Sequence, residues 1–388
     1  MRIAITAAAV RCAAGDALTP PTRCLATPDL DGLILGIPGV ARAAVPDDPR
    51  FPDDRKGSLA AAALAGALPP APPSARVGLY LGTGLSSLTP AELAIDLYPH
   101  IRIGGAEFDR EAIARDLAPG RPSPRRHQPE RVTQVLGDAI GATVQETSFS
   151  ACAASAQSIL QAARAVHRGD VDVAYAGGHD SMLHPIGYLS FVVLGALSPT
   201  AGRPFDRHRD GFLIGEGAAI FRLQREADVS SDDHVLGYIV GGGTSVDAYN
   251  VTHPHPTGDG AELAMRRALK EANLEPADID YVNAHGTGTP VGDHAECLAI
   301  YRVLGGVPVS SFKGAVGHTI AAAGAVELAL CLGIFPSGVL PGTPGLVEVD
   351  LELRAHVLRE PLAHQARYIL SNSFGFGGQN CALIVEAP

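Results

Sequence analysis

The stretch Ser150-Ala151-Cys152-Ala153-Ala154-Ser155-Ala156-Gln157-Ser158 decides how this chain folds. Residues 143–150 lead into it as a strand-like run. An Ala-rich run to residue 166 leads out, with Ile159, Leu160, Ala163 and Val166 at helical spacing. This places Cys152 on a sharp strand-to-helix turn. Small side chains around it permit close backbone packing, and a helix N-terminus lends partial positive charge that favours thiolate over thiol. Taken alone, the pattern is better explained by an inert cysteine packed beside a core helix. Segments far downstream reverse that balance.

On either side of this turn, strand and helix patterns alternate. Residues 76–84 and 171–178 read as continuous apolar strands that stop at glycine, as buried parallel sheets require. Helical patterns cover residues 59–68 and 131–140, and a strand covers 215–223. A second series follows, with helices at 261–272, 295–304 and 321–332, and strands at 234–241, 280–284, 307–311, 367–370 and 382–386. The start, Met1 to Thr6, reads as a first strand rather than a signal peptide, because Arg11 interrupts its apolar run. Residues 16–54 read as loop-heavy surface, and residues 91–130 as a mixture of helix and Pro/Arg-rich loop inserted over the core. The expectation is an α/β protein of two similar halves, 1–230 and 231–388, the first carrying Cys152.

Composition narrows the function. The chain of 388 residues carries 30 basic and 41 acidic side chains, a net charge of −11, which argues against a nucleic-acid protein. Aromatic residues make up 5% and Trp is absent, so the core must rest on Ala, Val, Leu and Ile. Six dispersed cysteines without a C-x-x-C pair suit a reducing cytoplasm and no metal site. No uninterrupted apolar run of membrane-spanning length is expected.

Three further segments carry chemistry. Asn283-Ala-His285-Gly-Thr287-Gly-Thr289-Pro-Val-Gly-Asp293-His-Ala-Glu296 stands at a strand end. Ser311-Phe-Lys313-Gly-Ala-Val-Gly-His318 leads into a small-residue helix that holds Glu327. Asn372-Ser-Phe374-Gly-Phe376-Gly-Gly-Gln-Asn380 reads as a glycine-rich turn between two strands. Each has a bland explanation by itself, since most glycine-rich turns are only turns.

Together with Cys152, and in this order, the segments closely resemble the β-ketoacyl synthases, the decarboxylating condensing enzymes of fatty acid and polyketide synthesis. The resemblance runs from about residue 143 to the C-terminus. It implies a thiolase-like fold, with two pseudo-symmetric βαβ-rich halves in layered α/β/α/β/α packing. It implies that Cys152 is the nucleophile, that His285 and His318 complete a Cys-His-His site, and that Lys313 orients His318. Asp293, Glu296 and Glu327 are implied as support, and the backbone N–H groups of Cys152 and Phe376 as the oxyanion hole. Thr287 and Thr289 are implied to hold pantetheine, with Phe191 and Phe376 gating the acyl pocket. The implied partners are acyl carrier protein and a second copy or related subunit. No cofactor or metal is implied, and no membrane.

The chemistry accounts for these residue types. Acyl transfer to a thiolate needs a cysteine of lowered pKa and backbone donors at the developing oxyanion. Loss of carbon dioxide from a malonyl thioester leaves an enolate, which two neutral histidines can hydrogen-bond without protonating its carbon. Gly195 departs from the pattern, standing where many bacterial members carry an arginine that meets the carrier. Arg203, Arg207, Arg209 and residues 121–126 are the alternative sources of positive charge. A non-condensing acyltransferase of the same fold is the competing enzyme. A chain-length partner subunit commonly lacks the cysteine, and a thiolase would need a second one, for which Cys381 is the nearest candidate. His253-Pro-His255 resembles a metal tract but has no third ligand near in sequence, and Gly241-Gly-Gly-Thr reads as a strand-ending turn rather than a phosphate loop.

Overall fold

The structure, a computed structural model, describes residues 1–25, 33–34, 37–38, 40–52, 54–67, 71–84, 109–116 and 128–388. Most of the 91–130 region, including the basic residues 121–126, lies outside the described residues. The first half of the chain supplies β1 (Ile3–Cys12), α1 (Arg55–Ala67), β2 (Val77–Thr83), α2 (Arg131–Ala139), β3 (Val144–Ser148), α3 (Ala154–Arg168), β4 (Val173–Asp180), α4 (Pro185–Val193) and β5 (Gly217–Arg225). The second supplies β6 (Gly237–Val246), α5 (Asp259–Ala272), β7 (Tyr281–Asn283), α6 (Pro290–Leu304), β8 (Pro308–Ser310), α7 (Ala323–Leu332), β9 (His356–Val357), β10 (Tyr368–Gly375) and β11 (Gln379–Glu386).

Strand pairing follows the order β9-β8-β7-β10-β11-β6-β1-β5-β4-β2-β3. Outward from the β1–β6 junction, both halves repeat one arrangement. β1 is antiparallel to β5, β5 is antiparallel to β4, β4 is parallel to β2, and β2 is parallel to β3. The series β6, β11, β10, β7 and β8 repeats those senses step for step. The junction is antiparallel, with Ile3 opposite Ile239 and Ile5 opposite Gly237. A half-turn about that junction therefore carries one half onto the other.

Burial follows from the layers. Helices α3 and α7 lie in a central core, where Ile159, Val166, Val326 and Leu330 meet Phe221 of β5 and Leu383 of β11. On the outer face of the first half, α1 and α2 are held by Leu59, Leu64 and Leu136. On the outer face of the second, α5 and α6 are held by Met265, Leu269 and Ile300. These are the five layers α/β/α/β/α that the resemblance implies. Strands β2 and β4 are buried along their whole length, as strands covered on both faces must be.

Four details differ from the sequence reading. Residues 320–337 are long and apolar enough to cross a membrane, yet 83% of the segment is buried in the fold. It is core helix, and Glu327 within it is paired rather than exposed. Helix α4 was not foreseen because it is apolar on all sides and shows no periodicity; Pro185 opens it and His184 Nδ1 caps it by accepting from Gly187 N–H at 3.2 Å. The glycine-rich turn between two strands at Asn372–Asn380 is present but shorter than the sequence suggests: the strands run to Gly375 and from Gln379, which pair, and only a 3₁₀ turn, Phe376–Gly378, lies between.

The run Gly241-Gly-Gly lies inside β6 instead of ending it. The reason is close packing on both faces. A Cβ on Gly243 would sit 2.1 Å from the carbonyl oxygen of Ala264 in α5, and one on Gly242 would sit 2.5 Å from Leu160 Cδ1 in α3. Gly243→Ala is therefore expected to destabilise the protein by about 1–3 kcal/mol through overpacking. Gly306→Ala, which meets nothing within 4 Å, should be nearly silent. Denaturant midpoints of the two variants check this, and equal midpoints would refute the packing argument.

Candidate active site

The turn after β3 is tight because backbone meets backbone. Ala151 takes a left-handed φ of 47°, and a 3₁₀ turn, Ala151–Ala153, feeds directly into α3. Glycines make room beneath: a Cβ on Gly82 would lie 2.3 Å from Ser155 N, and one on Gly178 would lie 2.5 Å from Ser155 Cβ. Only small residues fit at 153–156, which is why the segment is so rich in alanine. Cys152 is left 5% exposed at the floor of a cavity, with the backbone N–H groups of Phe376 and Cys152 itself directed at its sulfur.

That burial overrides the expected thiolate. Removal from water pushes the Cys152 thiol up to about 12; the Lys313 charge and the two backbone N–H groups pull the other way, and Asp180 adds to the rise. The helix terminus does not compensate for a sulfur almost closed off from solvent. Near neutral pH Cys152 is held as a thiol rather than a thiolate.

His285 and His318 face each other edge to face, with ring centroids 5.2 Å apart and an interplanar angle of 80°. His285 follows β7, and its loop is pinned by two carboxylates from the first turns of α6. Glu296 accepts from His285 N–H and Gly286 N–H, both at 2.8 Å, and from Asn372 Nδ2 at 3.2 Å. Asp293 accepts from Phe205 N–H at 2.8 Å and Gly288 N–H at 3.0 Å. Burial pushes these acids up, to about 7 for Glu296 and about 6 for Asp293. The spacing of three puts both on one helix face toward the loop.

Lys313 differs from its expected place. Its Nζ lies 2.5 Å from Glu327 Oε1 and 3.4 Å from His285 Nδ1, and it donates to the His285 carbonyl oxygen. It therefore holds His285 directly and reaches His318 only through its field. His318 has its own anchor, since Ile320 N–H donates to its Nδ1 at 3.2 Å. An ammonium and an amide can only donate, so each Nδ1 is an acceptor and each ring carries its proton on Nε2. Burial first, and then the Lys313 charge, hold both imidazoles well below the ordinary histidine value. Glu327 also accepts from Asn283 Nδ2 at 3.2 Å.

The cavity above, about 270 Å³, brings together Cys152, His285 and His318 with Thr287, Thr289, Phe191 and Phe376. Thr287 Oγ1 and Thr289 Oγ1 are 2.9 Å apart on one wall. Phe191 stands 6.2 Å from Phe376 and 5.7 Å from Phe212, centroid to centroid. Phe212 packs edge-on to His318 at 4.9 Å, and Phe374 lies 5.9 Å from His285. Sequence reasoning does not single out these two rings or Asn372: Phe374 and Asn372 lie in the 372–380 segment, where only Phe376 takes a role by resemblance, and Phe212 belongs to no motif.

Other candidates fall away or change meaning. Cys381 is fully buried in β11 on the core side, away from the cavity. His253 lines the cavity mouth, while His255 turns to Thr257 Oγ1 at 2.7 Å. Among the described residues no three His, Cys, Asp or Glu side chains converge as a metal site. Gly195 lines the mouth with φ 62° and open space where a side chain would project. Arg207 and Arg209 are engaged by Glu348 and Asp350, each at 2.6 Å, and Arg203 donates to Thr200 Oγ1 at 2.7 Å.

Known proteins share both sequence and shape with this chain. Residues 61–229 match the family model "Beta-ketoacyl synthase, N-terminal domain" and residues 236–346 match "Beta-ketoacyl synthase, C-terminal domain". A putative mitochondrial 3-oxoacyl-[acyl-carrier-protein] synthase of Schizosaccharomyces pombe is 40% identical over 62% of this chain and 61% of its own length. The chain thus spans about three fifths of that relative. The 3-oxoacyl-[acyl-carrier-protein] synthase 2 of Staphylococcus aureus is 35% identical over 80% of this chain and 75% of its own. A β-ketoacyl synthase from Burkholderia phymatum superposes with a TM-score of 0.84 at 28% identity, covering 100% of this chain and 99% of that one. A ketosynthase from Xenorhabdus doucetiae, solved in complex with its chain length factor, gives 0.81 at 27% identity, covering 100% and 98%. The two halves of the family's model fall on the two halves of this fold, and the chain belongs to the β-ketoacyl synthases.

Proposed function

We propose that the protein is a ketosynthase that condenses a Cys152-bound acyl group with a malonyl group carried on acyl carrier protein. One observation carries this reading. Two neutral imidazoles, each with its proton on Nε2, share a cavity with a cysteine whose sulfur lies under two backbone N–H groups. Simple acyl transfer needs the cysteine and the backbone donors; only an enolate also needs both imidazoles.

In the first half-reaction, Cys152 Sγ attacks the carrier-bound acyl thioester. The backbone N–H groups of Cys152 and Phe376 receive the developing oxyanion. The carrier's thiolate leaves, and the proton lost by Cys152 ends on it. In the second, a malonyl thioester enters with its carbonyl oxygen at the Nε2–H groups of His285 and His318. The bond to the carboxylate breaks, carbon dioxide departs, and its electron pair forms the enolate. The enolate carbon attacks the acyl-cysteine, and collapse of the tetrahedral adduct returns the thiolate of Cys152, which takes up one proton from solvent, the proton that the overall condensation consumes. Two acyl transfers through one covalent intermediate make a ping-pong cycle. Lys313 and Glu327 keep His285 aimed; Thr287 and Thr289 line the pantetheine path; Phe191 and Phe376 bound the acyl pocket.

Acyl carrier protein and a second ketosynthase-fold subunit, identical or related, are the partners in this reading, and the cytoplasm is its place of action. The Xenorhabdus relative, with its chain length factor, supports the heterodimeric form. Substrates arrive on phosphopantetheine, and the chemistry as written needs no cofactor of the enzyme's own.

Replacing Cys152 by Gln separates the half-reactions. This variant cannot accept an acyl group, yet His285 and His318 remain, so malonyl-carrier should still release carbon dioxide. Adding His318→Ala should slow that release about 10²–10³-fold, the usual cost of removing one preorganised donor. Release of labelled carbon dioxide is the assay, with folding checked by circular dichroism; equal rates in the two variants would exclude His318 as an enolate donor.

Burial and Lys313 also predict the protonation of the histidines. Both have values well below 6.5, so both rings stay neutral as the pH falls through that value and take up protons only well below it. Because Glu296 and Asp293 titrate near 7 and 6, the rings must be observed directly. Imidazole ¹⁵N resonances assigned to His285 and His318 should show Nε2–H neutral rings at about pH 5.5. A transition centred near 6.5 would contradict it.

A further inference from the structure

The half-turn that relates β1 to β6 also relates two elbows. Ala151 and Ile320 are both left-handed, with φ 47° and 51°, each opens a 3₁₀ turn, and each turn runs into a central helix, α3 or α7. Residue by residue, Ala321 holds the position of Cys152. In the first elbow the N–H of the second residue faces the cavity as an oxyanion donor. In the second elbow the same N–H is already occupied: Ala321 donates to Asp180 Oδ2 at 3.0 Å.

Asp180 stands at the end of β4 and is fully buried. Its Oδ1 accepts from Ser181 N–H at 2.8 Å and lies 3.1 Å from Lys56 Nζ of α1, itself 3% exposed. Gly84 keeps the slot open, since a Cβ there would come within 2.5 Å of Asp180 Oδ2. A buried ion pair is a weak source of stability, because desolvation of two charges consumes most of their attraction. This pair spans the first half of the fold and ends on the loop of the other half that carries His318.

Resting on the ketosynthase reading above, we propose that Asp180, backed by Lys56, is a positioning residue for His318. Its carboxylate clamps the Ala321 amide, the clamp holds Ile320 in its left-handed conformation, and Ile320 N–H then fixes His318 Nδ1 as an acceptor. A β-branched residue is costly in that conformation, and without an anchor the turn relaxes. Relaxation releases Nδ1, lets the proton move between the two ring nitrogens, and withdraws the Nε2–H donor from the enolate.

The test avoids stranding a buried charge by using Lys56→Met as background. Lys56→Met/Asp180→Asn keeps an acceptor oxygen for Ala321. Lys56→Met/Asp180→Leu removes it while conserving volume, with Lys56→Met/Asp180→Ala as the replacement if the Leu variant does not fold. The Asn variant should stay close to wild type. The acceptor-free variant should lose about 10–100-fold in kcat for malonyl decarboxylation, as expected for a displaced catalytic group, with KM for malonyl-carrier unchanged. Its His318 ¹⁵N resonances should change from one tautomer to a mixture, whereas those of His285 should not. Equal kcat and identical His318 tautomers in the Asn and acceptor-free variants would overturn the proposal. The NMR readout needs no turnover, so a wild-type protein inert toward malonyl-carrier would count against the ketosynthase reading alone.

Discussion

The centre of this protein depends on how closely two helices approach. A Cβ on Gly324 of α7 would lie 2.8 Å from Ala156 Cβ of α3, and Ser155 Oγ accepts from Ala325 N–H at 3.0 Å across the same contact. Position 324 has no room for a side chain, and the facing positions carry only alanine and serine. The contact brings the start of each helix next to the other, so the loop of one half delivers His318 to the cysteine of the other. Aromatic residues would hold the layers apart, and the Ala- and Gly-rich composition is the covalent form of this constraint.

Close packing also expels water, and that sets the electrostatics. Among the buried groups around the cavity, Lys313 supplies a cation that favours the ionised forms of Cys152, Glu327 and Asp293 and disfavours protonation of both imidazoles. The site rests as a neutral thiol beside two neutral rings. In the proposed condensation, charge would develop where the backbone N–H groups and Nε2–H donors already point. Donors fixed in buried surroundings need little reorganisation at that moment, which is the usual source of catalytic advantage.

Much of this was legible in residues alone, and what was missed has a physical pattern. Cys152, His285 and His318 could be found because chemistry needs those types and the intervening glycines mark backbone that comes close to other groups. The α/β alternation was legible because buried strands must be apolar throughout. The protonation state of Cys152 was not, since a helix terminus shows in sequence and the depth of burial does not. Lys313 was assigned to the nearer histidine along the chain, but its side chain folds back toward β7. The glycines of β6 looked like a turn because their reason, α5 lying on one face and Leu160 on the other, is distant in sequence. Asp180 and Lys56 belong to no motif and meet only in three dimensions.

The paired elbows bear on ancestry. The repeated strand order is what duplication of one α/β half would leave behind, with two equivalent turns side by side. In the present molecule one turn keeps a sulfur and an open amide, whereas the other bears the methyl group of Ala321 and a permanent carboxylate cap. Division of labour between duplicates is usually discussed for separate genes. Here the two turns of a single polypeptide divide it: the first bears the cysteine, and the second bears none and anchors the histidine of its own half.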